Sequence, residues 1–216
     1  MTKLSIFPPH RLQARLATLV IAFIGSFAAA CGGLQLQPKP MAFYDLGIGA
    51  RSSLAPALAP AQIEIATPPW LEASAMQYRL AWDDPLRRRA YAESRWVSPP
   101  PAMLGLALNR ALRSEGAGGR CRLRVELDEF IQDFASPDES RVEIVLRAGL
   151  LPPRSDKAIA GREFRAVEAA QTANAAGGVE AYRRASARLV AELADWVGAL
   201  DREPGGGLNA TGRCGG

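Results

Sequence analysis

The stretch CRLRVELDEFIQDFASPDESRVEIVLRAGLL, residues 121–151, decides the fold. Cys121, Leu123, Val125 and Leu127 alternate with Arg122, Arg124, Glu126 and Asp128, the period-two pattern of a strand with one dry face. The phase slips before Phe130, which predicts a bulge or bend there. Ser136-Pro137-Asp138 supplies turn chemistry, after which Val142, Ile144, Leu146, Ala148 and Leu150 alternate again. Two long strands joined by so short a turn should pair antiparallel.

On the C-terminal side, residues 152–157 read as a loop and GREFRAVEAA (161–170) as a third strand. From Gly178 to Leu200, apolar residues recur at three- and four-residue spacing: Val179, Tyr182, Leu189, Val190, Leu193, Trp196, Val197 and Leu200. That spacing predicts a long amphipathic helix lying on the sheet. Residues 202–216 are Gly-rich with little to bury, and the composition predicts a disordered tail.

On the N-terminal side, AFYDLGIG (42–49) and QIEIA (62–66) read as strands, the second ended by Thr67-Pro68-Pro69. MQYRLAW (76–82) and RRAYAES (88–94) form a hairpin around Asp83-Asp84-Pro85. Ser98 before Pro99-Pro100-Pro101 marks a helix start, and Gly116 a stop. Met103, Leu104, Ala107, Leu108, Ala111 and Leu112 give that helix one apolar stripe. The expected fold class is therefore α+β: a single domain over residues 42–201, with a mostly antiparallel sheet and two main helices packed on one face.

Residues 1–30 have a different character. Lys3, Arg11 and Arg15 precede an uncharged run, LATLVIAFIGSFAAA (16–30), which ends in small residues directly before Cys31. This is the layout of a secretory signal. The run is shorter than the roughly 20 apolar residues a membrane span needs. The following cysteine makes the segment resemble a bacterial lipobox, with Ala28 where Leu is usual. That resemblance implies cleavage after Ala30, acylation of Cys31 and a tether over residues 31–41. Gly32, rather than Asp, then implies sorting to the outer membrane.

Removing Lys3, Arg11 and Arg15 with the leader leaves 23 basic residues against 22 acidic ones. A net charge near +1 gives no argument for nucleic acid. The only histidine, His10, lies in the leader, so the mature chain lacks the commonest general base and metal ligand. No phosphate-loop or dinucleotide motif occurs, and no catalytic, cofactor or metal residues are expected. Asp83 with Asp84, or Asp128 with Glu129, could supply paired carboxylates for acid–base work. The first has turn chemistry, and neighbours on a regular strand diverge to opposite faces. Cys121 reads as a small apolar strand residue and Cys214 lies in the tail; whether the two pair stays open.

Large aromatics at element junctions anchor partners or close the core edge, and Trp70 and Trp96 both sit at such junctions. The run Phe43-Tyr44-Asp45-Leu46, then Ile63-Glu64-Ile65 through Pro68-Pro69-Trp70-Leu71, then Tyr91 and Arg95-Trp96-Val97-Ser98-Pro99, carries a family pattern. Together with the lipobox it resembles the ABC-type transport auxiliary lipoprotein family, of the paraquat-inducible lipoprotein type. The resemblance implies a non-enzymatic subunit serving an inner-membrane ATPase and permease and a periplasmic MCE-domain protein in lipid transport. It would be anchored in the outer membrane through Cys31 and face the periplasm, its oligomeric state left open. Tyr44, Trp70, Arg95 and Trp96 are then the expected interface or fold anchors. Two other readings stand beside it: a stand-alone lipoprotein with a structural or envelope-assembly role, and a hydrolase built on a carboxylate pair.

Overall fold

The computed structural model describes residues 39–47, 49, 52, 54–113, 118–205, 207–208 and 212–214. The leader, His10, Cys31, Gly32, the tether up to residue 38 and Gly116 lie outside the described residues. Residues 40–216 form one compact unit. Its strands are β1 (Ala42–Tyr44), β2 (Gln62–Ala66), β3 (Ala75–Leu80), β4 (Asp84–Trp96), β5 (Arg122–Ser136), β6 (Glu139–Leu151) and β7 (Ala160–Ala169). Helix α1 spans Pro100–Leu112 and helix α2 spans Ala175–Arg202.

The alternating stretch builds the centre of the sheet, with β5 antiparallel to β6 and β6 antiparallel to β7. The expected phase slip is a register shift between Leu127 and Glu129. It returns Phe130 to the buried side, where Leu123, Val125 and Leu127 already point. The seven strands follow the order β1-β4-β3-β5-β6-β7, with β2 also on β5. Because Pro68-Pro69 cannot continue a ladder, two short strands share the flank of β5. β2 runs parallel to residues 122–126, β3 parallel to residues 132–134, and a short 3-10 turn (Pro69–Leu71) separates them. Thr67 Oγ1 donates to the Leu127 carbonyl at 3.0 Å, covering the break at the bulge. β1 is also parallel to its neighbour β4, so the sheet is mixed, its two longest pairings being antiparallel. The fold class is α+β in a single domain.

α2 lies along β6 and β7, while α1 packs on β2 and α2. α2 begins at Ala175 rather than at Gly178 because the Asn174 side chain caps it, accepting from the Gly177 N–H at 2.9 Å. α1 starts without the expected Ser98 cap. Pro99 is its N-cap residue and makes no side-chain cap bond. Prolines at the first positions bring fixed φ angles and no orphan N–H groups, so a hydroxyl cap has less to satisfy. Among the described residues, no helix is long and apolar enough to cross a membrane.

The segment 202–216 does not behave as a free tail where it is described. Cys121 and Cys214 form a disulfide, with Cα atoms 5.1 Å apart, and Leu208 and Cys214 are buried. The Leu208 N–H donates to Asp201 Oδ1 at 2.7 Å, and Arg213 donates to the Leu200 carbonyl at 2.7 Å. Glycine-rich composition suggested disorder; one covalent bond and one buried leucine outweigh it.

Candidate interaction surface

The two segments that carried the family pattern are neighbouring strands. Ala42, Phe43 and Tyr44 pair in parallel with Ser94, Arg95 and Trp96, and the Val97 N–H donates to the Tyr44 carbonyl at 2.9 Å. Immediately after β1 the chain turns: Asp45 Oδ1 accepts from the Gly47 N–H at 2.7 Å, and Gly47 adopts φ +69°. That left-handed position suits glycine, which has no Cβ to clash. The turn drops Leu46 into the core.

Of the four anchors expected from sequence, the strand pair brings together Tyr44, Arg95 and Trp96. Trp96 belongs to the core, only 2% exposed and edge-on to Phe130 (5.7 Å) and Tyr182 (5.3 Å). Phe130 and Tyr182 in turn stack at 4.2 Å. Trp96 is therefore a fold anchor rather than a contact surface. Tyr44 is half-buried against the same core. Arg95 donates to the carbonyls of Tyr91 and Ser94, so its guanidinium holds the strand end. Trp70 stands apart on the 3-10 turn and is 53% exposed. Gln77 donates to its carbonyl at 2.8 Å, and Leu71 is buried beside it.

Beside the strand pair, a groove of about 390 Å³ runs between the 45–47 turn and α1. Leu46, Val97, Ala102, Met103, Leu106 and Ala107 line it, with Asp45 and Arg110 among the lining residues. Val97, Leu106 and the nearby Phe43 are all exposed. None of the three is among the anchors expected from sequence, although the sequence carries a signal for two of them. Leu106 lies off the apolar stripe of α1, and Phe43 alternates with an inward-facing Tyr44. Exposed apolar side chains gathered beside one groove, rather than scattered singly, mark a candidate contact.

The opposite face of the sheet is polar and paired. The bulge at Asp128 puts Asp128 and Glu129 on this same face, where a regular strand would have separated them. Each is held by different arginines. Asp128 accepts two bonds from Arg147, at 2.7 and 2.8 Å, and these hold its carboxyl below the usual carboxylate range. Glu129 binds Arg88 at 2.6 Å and Arg79 at 3.2 Å. Asp83 pairs with Arg89, and Asp84 Oδ1 accepts from the Leu86 N–H at 3.1 Å. Asp156, bonded by Arg122 and Arg124, is likewise held low. Asp128 and Asp156, held ionised in this way, are poor proton donors near neutral pH. Burial pushes the Tyr182 and Tyr91 hydroxyls up, so neither supplies a base. Among the described residues, no group of three His, Cys, Asp or Glu could hold a metal ion.

A family model described as "ABC-type transport auxiliary lipoprotein component" matches residues 44–194. The chain belongs to this family. The match begins at Tyr44, the last residue of β1, and runs through most of α2, so it takes in β4 and the groove of this auxiliary lipoprotein component. No curated protein matches its sequence. Among solved structures, a Xanthomonas campestris protein of the DUF330 family superposes with a TM-score of 0.60 at 18% identity, covering 75% of this chain and 99% of that one. A second, described only as an uncharacterized protein, gives a TM-score of 0.57 at 15% identity, covering 74% and 99%. At these identities the likeness is one of fold, and it places the auxiliary component's α+β domain in a known architecture.

Proposed function

We propose that this auxiliary component is a non-enzymatic docking subunit, acylated at Cys31 and held on the outer membrane facing the periplasm. It would receive the periplasmic MCE-domain protein of an ABC lipid-transport system, whose permease and ATPase sit in the inner membrane. The single observation that carries the docking role is the groove beside β1 and α1. It is apolar and open, and its rim presents Val97 and Leu106 to solvent on a rigid strand end and helix. Supporting the compartment, a disulfide persists in oxidising surroundings such as the periplasm. Supporting the non-enzymatic reading, the candidate carboxylates are occupied by arginines or backbone. Tyr44, Arg95 and Trp96 then serve by fixing the groove's wall, and Trp70 is a separate exposed anchor.

Leu106→Asp should leave the fold intact, because the side chain is 52% exposed. It should cut recovery of the MCE and ABC subunits in a crosslinked pull-down, since a carboxylate would then be buried against an apolar partner surface with nothing to pair it. Undiminished recovery would remove the groove from the interface. Repeated recovery of no transporter subunit with the wild-type protein would favour a stand-alone envelope role.

A further inference from the structure

The β3–β4 hairpin ends in seven consecutive exposed residues, 81–87, with the sequence AWDDPLR. Trp82 is 46% exposed and Leu86 89% exposed, an unusual pair of apolar side chains for a solvent loop. The tip is a built feature. Tyr78 pairs with Arg89 but Leu80 pairs with Asp84, so β4 carries three extra residues there. Pro85 has no N–H to give a ladder. The loop is pinned by Asp84 Oδ1, which accepts from the Leu86 N–H at 3.1 Å, and by Asp83, whose N–H reaches the Leu80 carbonyl at 3.1 Å. The Trp82 ring rests edge-on against Phe134 at 6.5 Å and is propped outward rather than folded into the core.

We propose that this tip seats in the headgroup layer of the lipid bilayer, Trp82 and Leu86 entering the interface and Arg87 reaching the phosphates. The proposal rests on the lipid-anchored reading above. Trp favours the headgroup level of a membrane, where its amphipathic ring is partly wet. An arginine beside it keeps its charge in the polar layer while its stem lies along apolar surface. Arg88 is occupied by Gln77 and Glu129, and Arg89 by Asp83. Counting Asp83, Asp84 and the adjacent turn acids Asp138 and Glu139, this end of the sheet has no strong net charge. Apolar insertion rather than attraction to anionic lipid would therefore hold it.

Chain direction supports the same occupant. β1 runs parallel to β4, beginning opposite Ser94 and moving away from the tip, so the chain enters the sheet from the tip's side. Residues 31–41 can extend about 36–40 Å. The path along β4 from Ser94 to Asp84 is at most about 33 Å. A lipid on Cys31 is thus within reach of the plane the tip would occupy. The groove borders the other end of β4, turned toward a partner arriving from the opposite side.

The test uses the protein extracted from membranes and reconstituted in phosphatidylethanolamine–phosphatidylglycerol vesicles with brominated acyl chains. Wild type is compared with Trp82→Phe and Leu86→Asp, near-ultraviolet circular dichroism checking that each variant folds. The expected result is a bromine-quenched part of the tryptophan emission that is lost in Trp82→Phe and reduced in Leu86→Asp. Equal fractional quenching in all three overturns the proposal, as does shielding of Trp82 that appears only when a protein partner is added. Cosedimentation separates the two readings. Protein that pellets with vesicles but shows no Trp82 quenching overturns the hairpin contact alone, and protein that neither pellets nor is quenched overturns both.

Discussion

Trp96→Ala should destabilise the domain by about 3–5 kcal/mol, the range for deleting a large buried aromatic. Trp96 is the shared member of an aromatic triad whose other two rings come from β5 and α2. Truncation removes both edge contacts and leaves a void that neither a bulged strand nor a 28-residue helix can easily close. The strand end would loosen too, since the Trp96 N–H donates to the Ser74 carbonyl and Tyr44 lies alongside it. Urea denaturation gives the measurement, and Trp70→Ala is the matched control. Trp70 is exposed, so its loss should fall within about 0.5 kcal/mol, as for most surface substitutions. Equal costs at the two positions would contradict the placement of Trp96 in the core.

Reducing the Cys121–Cys214 bridge, or replacing Cys214 with Ser, should cost about 2–5 kcal/mol. The two cysteines are 93 residues apart, so the bond closes a long loop and removes much freedom from the unfolded chain. It also fixes the segment beyond α2 to the start of β5. Without it, the segment around the buried Leu208 keeps only non-covalent ties, among them the Leu208 bond to Asp201 and the Arg213 bond to the Leu200 carbonyl. Urea midpoints with and without reductant should separate clearly, and limited proteolysis should open the segment after Glu203 first. Identical midpoints would mean that the bridge constrains nothing.

Much of this fold is legible in local pattern. QIEIA alternates over the residues that become β2, and the slip before Phe130 appears as the register shift at Leu127/Glu129. The stripe from Val179 to Leu200 is buried along α2. Strand direction was not legible. β1, β2 and β3 each run parallel to a neighbour distant in sequence, and alternation is the same whichever way a partner runs. The tail misled because a disulfide depends on where two side chains meet, which composition does not encode. For the site, both junction tryptophans stand out in the sequence, yet nothing local separates Trp96, sunk under α2, from Trp70, left outside. The groove was half legible: Leu106 breaks the helical stripe, but the opposite wall arrives from the 45–47 turn, more than fifty residues earlier.

The most direct test of the lipid-anchored reading is fatty-acid labelling combined with membrane fractionation of wild type and Cys31→Ser. Label on the wild-type chain, found with the outer membrane, alongside an unlabelled and released but folded variant, is the expected outcome. Equal label in both chains, or an unmodified sulfur on a freely soluble wild-type protein, would contradict it.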